Sequence, residues 1–517
     1  MTSKQSQSPR DITLLDYNSS KKMQLLTTKT LSLFNAGLSY KRDVIKPGII
    51  HFSPGNFHRT HQCSSYNDLF EYAAKHGADE NDPMFQWGIV GASTRNGSYG
   101  KLQPIMTQQD CLYTLVEADD DSTNANVMGS IIDMLPYKDD HQPIKEKLMD
   151  ENIKIVSMTV TEGGYFVDTN NEFDKNDDAI QYDAKNPDDP RTVFGLIVQA
   201  LRQRREKNMK PFNVMACDNV PQNGAVARQA TVGLASLIDK DLGQWIDDHV
   251  AFPCSMVDRI TPEPTEELKN SVDLDYDDGA IIFSEPFHQW VVEDNFCNDR
   301  PPLEKVGVKF VKDVEPWEEA KLRILNAGHA SMCYPAHIMG IKYVDEAMGN
   351  EAIYNFLDKL QKEEIVPLVP AVPNTDMSEY WETIKNRYQN SKLSDSIQRN
   401  CENGSDRQTK FILPTIRDCF KDEDHKLDGL ALVSAMWCKY CLGETEDGEV
   451  IDGQDERWDA LHETAQKCKD DPNEWLKMKE IYDGLGNNKK FQSAFEKAFS
   501  TCIDKGVEAA MKEYVDE

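Results

Sequence analysis

Lys321, Asn326 and His329 stand in one run of strong helix formers, Glu318-Glu319-Ala320-Lys321-Leu322-Arg323-Ile324-Leu325-Asn326-Ala327-Gly328-His329-Ala330. At about 100° per residue, Asn326 falls about 140° and His329 about 80° around the axis from Lys321, so all three fit one broad face over about two turns. Leu325, Gly328 and Met332 share that face. Lys, Asn and His among apolar and small residues point to a polar constellation in a cleft, where ionisable groups acquire shifted pKa values. An exposed Lys beside a capping Asn and a buried, hydrogen-bonded His fits the same spacing.

Two other groups invite a metal. His58 and His61, with His51 nearby, could share a helix face, but no Cys or carboxylate accompanies them at catalytic-zinc spacing, so backbone-bonded histidines are expected. Cys438-x-x-Cys441 has no second pair and lies in the apolar helical run Leu430 to Leu442, which reads as core packing. No metal is expected.

Polar groups of this kind need elements to carry them. Short apolar runs, each followed by a Gly- or Asn-rich turn, occur at Ile49-Ile50-His51-Phe52, Trp87-Gly88-Ile89-Val90, Ile155 to Val160 and Phe212 to Cys217. They read as buried parallel strands, with helical patterns between them such as Thr192 to Lys207, where Val193, Leu196, Ile197, Ala200 and Leu201 share a face. Alternating strand and helix predicts an α/β fold with a Rossmann-like, doubly wound N-terminal sheet. After about residue 310 the β-branched runs give way to amphipathic helices, so a mostly helical C-terminal domain follows. The expected division is a flexible arm at 1–46, a dinucleotide-binding domain at 47–310 and a helical domain at 311–517. The acidic segments around 168–189 and 444–459 read as solvated loops.

The first strand breaks at Ser53-Pro54-Gly55-Asn56-Phe57-His58-Arg59 into a helix-like run. In a doubly wound sheet a pyrophosphate sits at such a turn, because glycine admits close backbone approach and the helix start offers free N–H groups. The G-x-G-x-x-G pattern is absent, and an ordinary strand–turn–helix corner looks the same. From Pro83 to Gln109 there is no Asp or Glu over 27 residues, where composition predicts about four or five. Within that stretch, Gly91-Ala92-Ser93-Thr94-Arg95-Asn96-Gly97-Ser98 follows the second strand, where an acid would bind the ribose 2′-hydroxyl and repel a 2′-phosphate. Its absence favours NADP(H), with NAD(H) possible; a chance gap beside a packed edge is the alternative.

Lys and Arg total 57 against 88 Asp and Glu, a formal charge of −31 over 517 residues. That sign disfavours nucleic acid and anionic membranes as partners, and no run approaches the roughly 20 apolar residues of a membrane span. The 12 cysteines have no repeated spacing and mostly sit in apolar runs, as reduced core thiols of a cytoplasmic protein do. A cleaved organelle presequence in the acid-poor first 45 residues is the other possibility. A monomer or weak oligomer is expected.

Lys321-x4-Asn326-x2-His329 resembles the catalytic motif of the polyol-specific long-chain dehydrogenases, the mannitol 2-dehydrogenase family. Thr159-Val-Thr161-Glu162-Gly163-Gly164-Tyr165, Ala216-Cys217-Asp218-Asn219-Val-Pro221-Gln-Asn223-Gly224, Met256-Val257-Asp258-Arg259-Ile-Thr261-Pro262 and Glu285-Pro286-Phe287-His-Gln289-Trp290 look like further family blocks in the right order. The resemblance covers roughly 48–510 and implies zinc-independent oxidation of a secondary alcohol in a cleft between two domains. On it, Lys321 is the general base in polyol oxidation and the acid in ketose reduction, its pKa depressed by desolvation. Asn219 and Asn326 donate hydrogen bonds to the developing alkoxide, typically worth about 3–4 kcal/mol each. His329, Asp258 and Arg399 hold substrate hydroxyls, and Glu318 passes the proton to solvent, a surface acid being its rival reading. Ser53, Gly55, Asn56, Phe57, Arg59, Arg95, Ser98 and Glu162 are expected at the cofactor.

Ser53 replaces the family's usual first glycine, and Gly97 and Ser98 stand where members using NAD carry acids, which again favours NADP(H). Gly328 stands where Ser is also seen, a change expected to be neutral. The implied activity is interconversion of D-mannitol and D-fructose. A hexuronate or arabinitol dehydrogenase, or a non-catalytic nucleotide-binding protein, are the alternatives.

Overall fold

The computed structural model describes residues 23–35, 37–167, 172–422 and 424–517. Its strands, in chain order, are β1 (Pro47–Phe52), β2 (Gly88–Ala92), β3 (Tyr113–Ala118), β4 (Thr123–Met128), β5 (Ile131–Met134), β6 (Ile155–Met158), β7 (Asn213–Ala216), β8 (Ser255–Asp258), β9 (Ile282–Ser284), β10 (Gln289–Glu293) and β11 (Lys309–Val311). Five of them form a parallel sheet in the order β5-β2-β1-β6-β7. All of β2, β6 and β7 is buried, so their sequences are continuous apolar runs without alternation, as a sheet covered on both faces requires. β1, β2, β6 and β7 are the four strands expected from sequence. The edge strand β5 escaped notice because Asp133 interrupts its short apolar run.

The helix Val193–Glu206 covers one face; Thr192 caps it by accepting the Gly195 N–H at 2.9 Å. Its five expected core residues are all buried. The strand order reverses beside β1, so the carboxyl ends of β1, β2 and β6 open a crevice where the phosphate turn was expected. A second sheet, β11-β10-β8, pairs β8 antiparallel with β10 and carries Val257 and Asp258 to its end. Past it the chain is helical, beginning with one continuous helix over residues 315–338. The helical half has its own core, including Trp381, Trp437 and Trp475.

Three expectations change. Residues 1–22 and 36 of the expected flexible arm lie outside the described residues, but residues 23–35 and 37–46 pack onto the body. Leu26 is buried, residues 24 and 26 exchange backbone hydrogen bonds with Asp277, and Tyr40 donates to Asn67 Oδ1 at 2.6 Å. Apolar side chains removed from water hold this stretch in place. Within the expected loop 168–189, residues 168–171 lie outside the described residues and Asp178–Lys185 is a helix, because Asp177 caps two of its N–H groups and Ile180 is buried. Finally, the helix bearing Lys321 is not α-helical throughout: Lys321–Asn326 forms a π-helical turn.

Candidate active site

The π turn changes which side chains meet. Hydrogen bonds of the i→i+5 type add about one residue per turn, so each residue advances about 80° rather than about 100°. Across Lys321–Asn326 the separation then falls from about 140° to about 40°, and His329, three α-helical steps further on, comes within about 20° of Lys321. The broad face expected from an α-helix is a narrow one.

Lys321 is buried, and its Nζ donates to Asn219 Oδ1 at 2.5 Å and to the Val257 carbonyl at 2.7 Å. Burial lowers its pKa, against the raising effect of Asp258. Oδ1 is taken by the lysine, and Asn219 is an exposed residue just past β7. The Asn326 side chain is half-buried and takes no hydrogen-bond partner among the described residues. His329 is buried, its Nε2 3.6 Å from Asp395 Oδ2, and burial lowers its pKa. Asp395 also accepts from Arg399 Nη2 at 2.5 Å. Burial alone would raise its carboxyl, but His329 and Arg399 hold it well below the ordinary range.

Asp258, expected from its family block to hold a substrate hydroxyl, has no carboxylate oxygen free of Arg387. Both its oxygens accept from Arg387, each at 2.8 Å, and the same guanidinium holds Glu285 through Nε at 2.9 Å and Nη2 at 2.8 Å. Arg387 belongs to the helix Met377–Tyr388, so this buried cluster joins the helical half to the end of β8. Arg399 donates to Asp395 through Nη2, and its side chain remains 44% exposed.

Glu318 accepts the Gln222 N–H at 3.1 and 3.2 Å, and burial pushes its carboxyl up to about 7. One helical turn before Lys321, it lines a cavity of 580 Å³ with Gln222, Arg228, Asp247, Glu293 and Asp313.

At the other end of the crevice, Ser53 closes β1 at φ 65°. Its carbonyl accepts from Gly55 N at 2.7 Å and Thr159 Oγ1 at 2.9 Å. Thr159 Oγ1 also meets His51 Nε2 at 3.0 Å, and His51 Nδ1 meets Ser157 Oγ at 2.8 Å. A Cβ on Gly55 would meet nothing nearer than the Ser53 oxygen at 3.9 Å, so the turn leaves open the space a phosphate needs. Asn56 starts the short helix that follows, and Phe57 stacks on His61 with ring centroids 5.1 Å apart. Arg59 departs from expectation. It is buried and donates to the Ala280 carbonyl at 2.6 Å and to Asn56 Oδ1 at 2.9 Å, because Tyr113 and those oxygens draw it inward. It braces the turn from behind. Arg95 and Ser98 are exposed beyond β2, where no acid stands near them in sequence. The backbone of Glu162 opens a short turn, while its side chain lies outside the described residues.

Sequence reasoning missed Arg387, Glu285, Asp395 and the Val257 carbonyl. Asp395 carried a local signal, standing four residues before Arg399. Arg387 carried none, since its partners lie more than a hundred residues away.

Comparison with known proteins gives this geometry its context. The Mannitol dehydrogenase Rossmann domain model matches residues 47–305 and the Mannitol dehydrogenase C-terminal domain model residues 313–503. Mannitol 2-dehydrogenase of Cereibacter sphaeroides is 42% identical over 480 residues, 92% of this chain and 98% of that protein. Polyol:NADP oxidoreductase of Gluconobacter oxydans is 35% identical over 457 residues, 86% of this chain and 91% of that protein. The structure of Pseudomonas fluorescens mannitol 2-dehydrogenase in ternary complex with NAD and D-mannitol superimposes with a TM-score of 0.84 at 34% identity, covering 96% of this chain and 100% of that one. With both domain models matched in order and relatives aligned nearly end to end, the chain belongs to the mannitol dehydrogenase family of polyol dehydrogenases.

Proposed function

We propose that the chain interconverts D-mannitol and D-fructose with a nicotinamide dinucleotide, Lys321 carrying the hydroxyl proton and no metal taking part. One observation carries this reading: a buried lysine whose Nζ is held, among the described residues, by two acceptors, Asn219 Oδ1 and the Val257 carbonyl. A neutral amine with both N–H bonds so committed has its lone pair aimed in a third direction, where it accepts the proton of a substrate hydroxyl. The bound dinucleotide supplies the hydride acceptor. Asn219 and Asn326 donate to the oxygen as negative charge develops on it. His329, steadied by Asp395, holds a neighbouring hydroxyl, and Arg399 steadies Asp395 from outside. Glu318, with its carboxyl at about 7, exchanges the proton with the cavity beyond.

The turn Ser53–Phe57 fits the pyrophosphate, and the acid-free segment with exposed Arg95 and Ser98 fits a 2′-phosphate, so NADP(H) is the preferred cofactor in this reading. The names of the relatives favour a polyol, one structure holding NAD and D-mannitol and one relative being named for NADP.

Initial rates of fructose reduction with NADH and with NADPH, each with and without chelator, test the proposal. Turnover that survives chelator and is faster with NADPH is expected. Loss of turnover under chelator overturns the metal-free step. Activity on fructuronate with none on fructose overturns the substrate.

A further inference from the structure

We propose that Tyr388, assisted by Gln361, is a positioning residue whose hydroxyl is wedged into the catalytic helix and holds open the wide turn that gathers Lys321, Asn326 and His329 on one face. In an α-helix the Leu325 carbonyl accepts the N–H of His329, four residues on. Here the Leu325 carbonyl accepts from the Tyr388 hydroxyl, whose oxygen also faces the His329 backbone N–H. The hydroxyl stands between the two groups that would otherwise bond each other, and a side chain inserted into the ladder is a recognised cause of local helix distortion.

Room for the wedge comes from Gly328. A Cβ there would lie 2.5 Å from the Tyr388 hydroxyl oxygen and 3.2 Å from its ring. The preceding carbonyl, Ile324, accepts from the buried Gln361 Nε2 at 3.2 Å. Two successive carbonyls at the exit of the π turn are therefore held from outside the helix. The tyrosine ring also packs against the His329 imidazole, centroids 4.5 Å apart. It cannot withdraw, because its neighbour Arg387 is locked onto Asp258 and Glu285. Gly328, expected to be a neutral position, is therefore the space the wedge occupies.

This inference rests on the reading that Lys321, Asn326 and His329 act on substrate together. Without the wedge the segment's strong helix formers favour a regular α-helix, in which Asn326 swings to about 140° from Lys321.

The test measures kcat and KM for mannitol, cofactor Kd and Tm for Tyr388→Phe, Gln361→Met, Gly328→Ser and the double variant Tyr388→Phe/Gly328→Ser. Loss of an aligned oxyanion donor costs about 100-fold in kcat, and that drop is expected for Tyr388→Phe and Gly328→Ser with cofactor Kd unchanged. The double variant is expected to recover well above either single one, because a serine hydroxyl bonds a carbonyl three or four residues back and the tyrosine oxygen at 2.5 Å, the severest clash with its Cβ, is then gone, leaving a ring contact at 3.2 Å that a small shift relieves. A merely structural role gives a double variant no better than the worse single one, which overturns the proposal. So does wild-type kcat in both Tyr388→Phe and Gln361→Met. Full activity of Lys321→Ala would instead overturn the site reading itself. An inactive Lys321→Ala beside unaffected Tyr388→Phe and Gln361→Met removes the wedge alone.

Discussion

The Lys321 nitrogen lies 2.7 Å from the carbonyl oxygen of Val257, the residue immediately before the carboxylate that Arg387 grips. The proposed proton carrier and the contact between the two halves of the molecule thus share one strand end. Because burial lowers the Lys321 pKa, polyol oxidation is expected to rise with pH and level off below the ordinary lysine value of about 10.4. Ketose reduction, which needs the ammonium, falls over the same interval. Lys321→Ala is expected to lose about 10²–10⁴-fold in kcat. Steady-state rates in both directions across the pH range check this, and a plateau unchanged in Lys321→Ala would remove the lysine from the chemistry.

Arg387 is the sole counter-charge that the described residues give Asp258 by direct hydrogen bonds, and it serves Glu285 as well. Arg387→Met leaves both carboxylates buried without it, at a cost of about 3–5 kcal/mol, which denaturant unfolding reads directly. In whatever fraction stays folded, Asp258 then acts on Lys321 without the opposing effect of Arg387. The pH profile of oxidation is therefore expected to move to higher pH. A shift to lower pH would contradict the arrangement.

Much of this was legible in the sequence for a physical reason. Parallel strands buried on both faces must be apolar throughout, so β1, β2, β6 and β7 announced themselves, and Lys321, Asn326 and His329 lie close enough together to be read as one unit. The π turn was not legible, because its cause is a tyrosine 63 residues from the carbonyl it takes, and the local residues alone favour an α-helix. Arg59 and Asp258 show the same limit from the other side. Their types suit ligand binding, and only the folded chain shows that Ala280 and Arg387 have already engaged them.

The cofactor preference turns on a stretch without acids. Ser98→Glu places a carboxylate beyond β2, where it would repel a 2′-phosphate and accept from a ribose hydroxyl. The ratio of kcat/KM for NADPH over NADH is expected to fall by at least about tenfold, equivalent to about 1.4 kcal/mol. An unchanged ratio would show that the 2′ position lies elsewhere.

Glu318, with its carboxyl near 7 through burial, should add its own limb to the pH profile. Glu318→Gln is expected to remove an inflection near pH 7 from the kcat of oxidation while leaving cofactor binding as it was. If the inflection persists in the variant, the proton leaves by another route.

Asp395 couples stability to pH with a definite sign. Its folded-state carboxyl lies below the ordinary value because His329 and Arg399 outweigh the effect of burial. A depressed acid contributes stability above its unfolded pKa of about 3.9 and loses that contribution as pH falls from there through the folded value. Asp395→Asn therefore lowers Tm most at neutral pH, and the gap from the parent protein narrows as pH drops below about 4. The same variant frees the His329 ring and the Arg399 guanidinium, so KM for mannitol rises more than cofactor Kd does. Thermal unfolding of both proteins across the acid range decides the matter: a gap that stays constant down to about pH 3 would mean that Asp395 packs in the fold without its charge contributing.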